Sequence, residues 1–350
     1  MRAQVTAGLR RASESLPAAL QIVIAVVASY AIAHFLLGHA TPLIAVTVTI
    51  TSLGMARDAR PRRVLETAIG VTLGIALSEV IVLVIGKGGW QLAIVLFATL
   101  VITRAVSANP AFAVAAAVQS TLVVLLPDPP GGPFTRSLDA LVAGAVALAA
   151  TALIPRDPAR AATRDRRALF AVLRESVDSI ADCFSLPSEA AGELALGRLR
   201  RTQPMVDAWT SSLETAVAIS RISPFLRSRL PLLERSTRLL GAADLASRHL
   251  RTLARRGTFL VRDGVARPTI ADLVAQIGTG IQLLNEELDD PQVAGAARSL
   301  LSDVARRLVP AEGDSVPEAA IVLLLRPLVV DLLVGSGMPI EEARGLLPVV

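Results

Sequence analysis

The sequence predicts an all-α membrane protein: six transmembrane helices over residues 16–155, followed by a cytoplasmic α-helical bundle over residues 156–350. Residues 1–15 form a short cytoplasmic N-terminal segment. Three observations predict this. Residues 1–155 hold 10 of the 35 Lys+Arg and 6 of the 30 Asp+Glu, so a nearly uncharged block precedes a densely charged one. Two such blocks imply two solvents, lipid and then water. The first block breaks into apolar runs of helical length, and its basic loops fall alternately along the chain. Overall, hydrophobic residues make up 53% of the 350 residues and charged residues only 19%, where about a quarter charged is usual for a soluble domain.

A helix needs about 20 residues to cross a hydrocarbon core of ~30 Å. The first apolar run, Leu16–Leu37, has that length. It follows a basic start as a signal peptide would, but it is too long, lacks a cleavage site and is followed by further apolar runs. Gly38-His39-Ala40 turns the chain into Thr41–Met55, a short span rich in threonine. Arg57, Arg60, Arg62 and Arg63 surround Pro61 in a basic loop. The third span is Val64–Ile85, followed by a Gly86-Lys87-Gly88-Gly89 turn and Trp90, which suits a membrane interface. Gln91–Thr103 and Ala111–Leu126 are the fourth and fifth spans, separated by a turn that ends at Asn109-Pro110. Residues 127–133, PDPPGGP, cannot be helical, and Leu138–Ile154 is the sixth span.

Loop charge sets the orientation. Arg2, Arg10 and Arg11, the four arginines of the second loop, Arg104, and Arg156, Arg160, Arg164, Arg166 and Arg167 all lie on one side of a six-span chain. The other three loops hold only Lys87 and Arg136. The positive-inside rule therefore predicts that both termini are cytoplasmic, in a multi-pass protein of the cell membrane.

From Asp157 onward the apolar residues recur every three or four positions, as in Leu169, Phe170, Leu173, Val177, Ile180, Ala181 and Phe184. Further helices are expected over Leu194–Ile222, Leu230–Leu253, Ile270–Leu288 and Val293–Leu308, with breaks at Pro187, Pro224, Gly257, Pro268, Pro291 and Pro317. Ile321–Val334 is apolar but short, and it holds Arg326, Pro327 and Asp331. It is read as a buried bundle helix rather than a seventh span.

The sequence pI is near 10.6, which raises nucleic acid as a partner. The basic residues, however, alternate with acids at helical spacing, as on a solvated face, and one Tyr and two Trp offer little surface for stacking bases. No nucleic-acid partner is expected. Cys183 is the only cysteine, on an apolar helix face, and His34, His39 and His249 are scattered. Neither a metal site nor a bound cofactor is expected. The chain lacks the phosphate-binding G-x-x-x-x-G-K-[ST] pattern and any nucleophile–base arrangement, so no catalytic residues are assigned and an enzyme is not expected.

Ionisable residues inside a span are expensive and hence candidates for function. Glu79 lies about two turns from the outer end of the third span. A carboxyl in low dielectric takes up protons more readily, so Glu79 is either a proton site or a carboxylate paired with Arg136 or Lys87. Glu66 opens the third span, where the helix dipole favours an acid. Arg136 and Asp139 open the sixth span, either at a pore mouth or among headgroups. Thr47 and Thr51 share a helix face and either line a polar path or bond helix carbonyls. Arg104 is the basic residue closing the fourth span. Gly70, Gly74 and Ser78 form a stripe of small residues suited to close helix packing. Asn109-Pro110 is either a helix discontinuity at an ion site or a plain turn.

The segment Arg62-Arg63-Val64-Leu65-Glu66-Thr67-Ala68-Ile69-Gly70-Val71-Thr72-Leu73-Gly74, with residues 136–146 (RSLDALVAGAV) and Leu153-Ile154-Pro155-Arg156, resembles the fusaric acid resistance and aromatic acid exporter group. The cytoplasmic helical domain after six spans is also similar to the plant aluminium-activated malate transporters. The resemblance covers residues 15–157. It implies a secondary exporter of small organic anions, aromatic carboxylates among them, coupled to the proton gradient. It also implies a homodimer, because many longer members hold two six-span blocks and this chain holds one. An organic-anion channel and a non-transporting membrane scaffold with a cytoplasmic interaction domain remain open alternatives. Besides its cargo, the chain's expected partners are membrane lipid and its own second copy.

Overall fold

The computed structural model describes residues 2–54, 61–107, 110–153 and 158–349. Side chains are described from Ser15 onward, except for Pro17, Arg62, Pro110, Ala111 and Pro158. The predicted basic residues Arg2, Arg10, Arg11, Arg57, Arg60, Arg62 and Arg156, the Asn109 break and the boundary at residue 155 therefore lie outside the described residues or side chains. Among the described residues the regular structure is entirely helical. The chain divides into two compact units, Met1–Arg156 with Ala218–Arg227, and Asp157–Val217 with Ser228–Val350.

In the first unit, α1 (Arg2–Ala31) continues into a π-helical turn, Ile32–Leu36. Gly38 follows at φ 71°, a left-handed conformation that glycine adopts without strain. Next come α2 (Leu43–Leu53), α3 (Pro61–Ile85), α4 (Gly89–Val106), α5 (Pro110–Leu125) and α6 (Thr135–Leu153). Four segments are long and apolar enough to cross a membrane: Ala18–Leu36, Arg63–Ile85, Gly89–Val106 and Thr135–Leu153. The other two apolar helices are shorter. At 11 residues, α2 is about 16 Å long, half the ~30 Å core. The expected second span, Thr41–Met55, is thus shortened by Pro42 at one end and Gly54 at the other. One face of it is buried, with Ile44, Ala45 and Val48 inside the unit, while Leu43 and Ile50 are exposed.

α3 packs against both α5 and α6, α2 against α6, and α4 against α5. A Cβ on Gly70 would lie 1.7 Å from the Phe112 ring, and one on Gly74 would lie 3.2 Å from the Ala116 Cβ. The small residues of α3 therefore seat Phe112 and Ala116 of α5, and the two helices run parallel. On the outside, large apolar side chains face no protein: Phe35 is 79% exposed, Phe97 72% and Val84 77%. A water-soluble surface rarely carries so many, and lipid is the solvent they fit.

The second unit is a helical bundle around one apolar core. It comprises α7 (Pro158–Ser185), α8 (Glu189–Leu199), α9 (Gln203–Ile222) as far as Val217, α10 (Leu230–Leu260), α11 (Pro268–Glu286), α12 (Ala296–Arg306), α13 (Val316–Gly335) and α14 (Ile340–Gly345). Two expectations change here. The helix expected over Leu194–Ile222 is interrupted at residues 200–202, and Pro204 sits in the first turn of α9, where its missing N–H costs nothing. Gly257 does not break α10. Its absent side chain admits Phe184, whose ring would be 2.8 Å from a Cβ there. α13 contributes Ile321, Leu325, Val329 and Leu333 to the core, and Cys183 is buried in it.

Arg267 pins the α10–α11 turn to the start of α13. It donates to both carboxylate oxygens of Asp263, at 3.0 and 2.5 Å, and to Glu318 at 2.8 Å. Glu318 also closes a capping box with Ser315. Hydrogen bonding from Arg267 pulls the Asp263 carboxyl down to about 2, and hydrogen bonds from Ser315, then Arg267, hold Glu318 below the usual carboxylate range. Both shifts are downward, so their stabilisation is present above the unfolded carboxylate pKa of about 4 and fades as the pH falls toward 2. Arg267→Ala is expected to lower the melting midpoint by roughly 5 °C at pH 7. It should also flatten the pH dependence of that midpoint between about 4 and 2, read by circular dichroism.

Candidate functional site

Buried polar side chains of the first unit gather where α2 and α6 begin and α3 and α5 end. Hydrogen bonds across these termini join them. His39, just before α2, bonds the Asp139 carboxylate of α6 through Nδ1 at 2.6 Å. Ser137 of α6 donates to Glu79 Oε2 of α3 at 2.5 Å. Glu79 and Asp139 are 6% and 3% exposed, in an apolar unit where such burial is costly without a purpose or a partner.

The two cations at this end have other work. Arg136 donates to the backbone carbonyls of Val123 at 2.7 Å, Leu126 at 3.2 Å and Pro127 at 2.5 Å. Lys87 donates to Leu126 O at 2.8 Å and pairs with Asp128 at 2.6 Å. Hydrogen bonding and charge from Lys87 lower the Asp128 carboxyl. Both cations thus satisfy the last carbonyls of α5, the negative end of its dipole. Among the described residues, Glu79 pairs with Ser137 and forms no salt bridge with Arg136 or Lys87. Arg136 and Asp139 are both buried within the unit.

Toward the middle of the unit the polar contacts continue. Thr47 donates to Gln119 Oε1 at 3.0 Å. Thr99 and Ser120 are 3.1 Å apart, and Ser120 also donates to the Gly74 carbonyl at 3.2 Å. Ser78 donates to the same carbonyl at 2.6 Å. Thr51 bonds carbonyls of its own helix, Thr47 O at 2.9 Å and Val48 O at 3.1 Å. Of the two threonines, only Thr47 reaches across to another helix. Glu66 and Arg104 are exposed and stand apart from this cluster.

Sequence reasoning missed His39, Ser137 and Gln119. His39 was read as one of three scattered histidines, although it and Asp139 both lie at predicted outer ends of spans. That shared depth was the available signal. Among the described residues no three His, Cys, Asp or Glu side chains come together as a metal site would need.

Comparisons with known proteins bear on this unit. Residues 21–150 match the model of the fusaric acid resistance protein-like family. The chain is 26% identical over 332 residues to an uncharacterized protein of Corynebacterium glutamicum, covering 91% of this chain and 85% of that relative. It is 25% identical over 197 residues to proteins of Mycobacterium tuberculosis and Mycobacterium bovis named "Putative arylamide transporter". That match covers 55% of this chain and 56% of each mycobacterial relative, so it spans about half their length. Four helices long and apolar enough to cross a membrane and the matching family model agree on one class: the chain is a multi-pass membrane protein that is similar, over residues 21–150, to the fusaric acid resistance protein-like family.

Proposed function

We propose that this protein is a secondary exporter of small organic anions, aromatic carboxylates in particular, driven by the proton gradient. One observation carries the coupling. Glu79 and Asp139 are buried carboxyls at one end of an apolar helical unit, and their partners are a hydroxyl and an imidazole rather than a fixed arginine or lysine. Buried carboxyls held by a hydroxyl and an imidazole, beside an Arg136 whose guanidinium is committed to backbone carbonyls, are the groups we assign to proton coupling. The polar side chains Thr47, Gln119, Thr99 and Ser120 extend from that end toward the middle of the helices and offer hydrogen bonds to a passing polar group.

The arylamide name of the mycobacterial relatives supports an aryl group on the cargo. All six helices of the first unit serve as spans in this reading, with α2 and α5 completed by their flanking residues. Loop charge favours cytoplasmic termini. The end holding Glu79 and Asp139 then faces outward, where a protein in the energised membrane meets the higher proton concentration. A homodimer completes the permeation unit.

The test is efflux of an aromatic carboxylate and of an arylamide from proteoliposomes under an imposed pH gradient. Wild-type flux is expected to rise with the gradient, and Glu79→Gln to lose at least ten-fold of that stimulation. Gradient-dependent flux that survives unchanged in Glu79→Gln would remove Glu79 from the mechanism.

A further inference from the structure

The second unit holds a cavity of about 420 Å³ between the ends of α10, α11, α12 and α13. Its walls carry three guanidinium groups, Arg235, Arg238 and Arg298, and one carboxylate, Glu287. That carboxylate is engaged: Glu287 Oε1 accepts a hydrogen bond from the Ala297 N–H, in the first turn of α12, at 2.9 Å. Arg298 reaches across to α13 and donates to Ser336 O at 2.9 Å. Arg235 and Arg238 make no ion pair or hydrogen bond with any described residue, whereas Arg166, Arg167, Arg174, Arg248 and Arg267 in the same unit all face a carboxylate.

The cations also converge. The Nη2 atoms of Arg298 and Arg238 lie 3.5 and 3.9 Å from the point where a Cβ on Gly337 would stand. Gly337 has φ 93°, so glycine keeps that spot free of a side chain. Both guanidinium groups therefore approach the same part of the cavity wall, where an anion would offset their mutual repulsion. Guanidinium forks bind planar or tetrahedral oxyanions in two-pronged fashion. Gly295 and Ala294, which lead into α12, line the same cavity.

We infer that this cavity is a binding site for a small, multiply charged oxyanion, with Arg235 and Arg238 as its free cationic arms and Arg298 as its fixed one. A volume of this size takes more than a single phosphate and suits a diphosphate or a polycarboxylate. Neither the exporter reading nor its failure bears on this site, because it involves no residue of the first unit.

Isothermal titration of the full-length protein in detergent, with pyrophosphate in one arm and citrate in the other, tests it. Saturable binding of at least one is expected, with affinity falling as salt rises. Arg235→Gln/Arg238→Gln should weaken that binding at least ten-fold. Arg255→Gln/Arg256→Gln removes two exposed arginines elsewhere on α10 and should change it less than two-fold. Far-ultraviolet circular dichroism checks that both variants stay folded. Absence of binding by either anion, or equal weakening by the two variant pairs, would overturn the inference. Preference for pyrophosphate or for citrate decides whether phosphate or carboxylate is the natural group.

Discussion

Gly70→Val is expected to destabilise the first unit by about 3 kcal/mol or more, the upper part of the range for overpacked sites. The new Cβ alone would fall 1.7 Å from Phe112 Cζ and 2.1 Å from Cε2. The ring has no room to swing away, since Phe112 is 4% exposed among its neighbours. α3 and α5 would therefore have to separate. These helices also carry Glu79 and the Gln119–Ser120 pair, so transport should fall together with stability. The thermal midpoint in detergent, followed by size-exclusion chromatography, measures the first effect. Phe112→Ala in the same chain should restore part of the loss, because it empties the volume that valine needs. A double-mutant cycle showing simple additivity would mean that the two residues do not meet.

Arg136→Met is expected to cost about 3 kcal/mol, because buried carbonyls at the end of α5 lose their donor. Leu126 O keeps Lys87, but Val123 O and Pro127 O accept from no other side chain among the described residues. Arg136→Lys should recover only part of the loss, since an ammonium cannot span three carbonyls as a guanidinium fork does. The same variants separate two roles for this residue. If Arg136 holds the end of α5, stability drops while the Michaelis constant for efflux of the surviving folded protein stays near the wild-type value. If Arg136 instead binds the anionic cargo, the Michaelis constant rises at least ten-fold and the melting midpoint hardly moves.

Both results depend on contacts between helices distant in sequence, and here the sequence reading stops. Gly70, Gly74 and Ser78 announce a close-packed face by their four-residue spacing, but nothing in that spacing names Phe112 and Ala116 as the residues seated there. Glu79 stands out as a charge within an apolar run. Its partner Ser137 lies 58 positions away and carries no signal of its own. Arg136 looks like an ion-pair partner on charge alone, yet the geometry gives it to three backbone carbonyls. The reason is that helix C-termini leave carbonyls unsatisfied, a need that residue composition does not display. In the second unit, the helix periodicity located most of the elements, whereas Gly257 misled because a glycine that admits a neighbouring ring and a glycine that ends a helix read alike.

What the sequence determined by itself is the class of this protein. Hydrophobic length and charge asymmetry separate a lipid-solvated half from a charged helical half, because desolvating a charge or a bare peptide group in hydrocarbon is too costly to be hidden. What only the tertiary structure decided is which polar groups meet: His39 with Asp139, Ser137 with Glu79, Thr47 with Gln119, and the arginines around Gly337. Those pairings depend on helix register and rotation. Packing of side chains from distant segments sets both, and no local pattern along one chain records them.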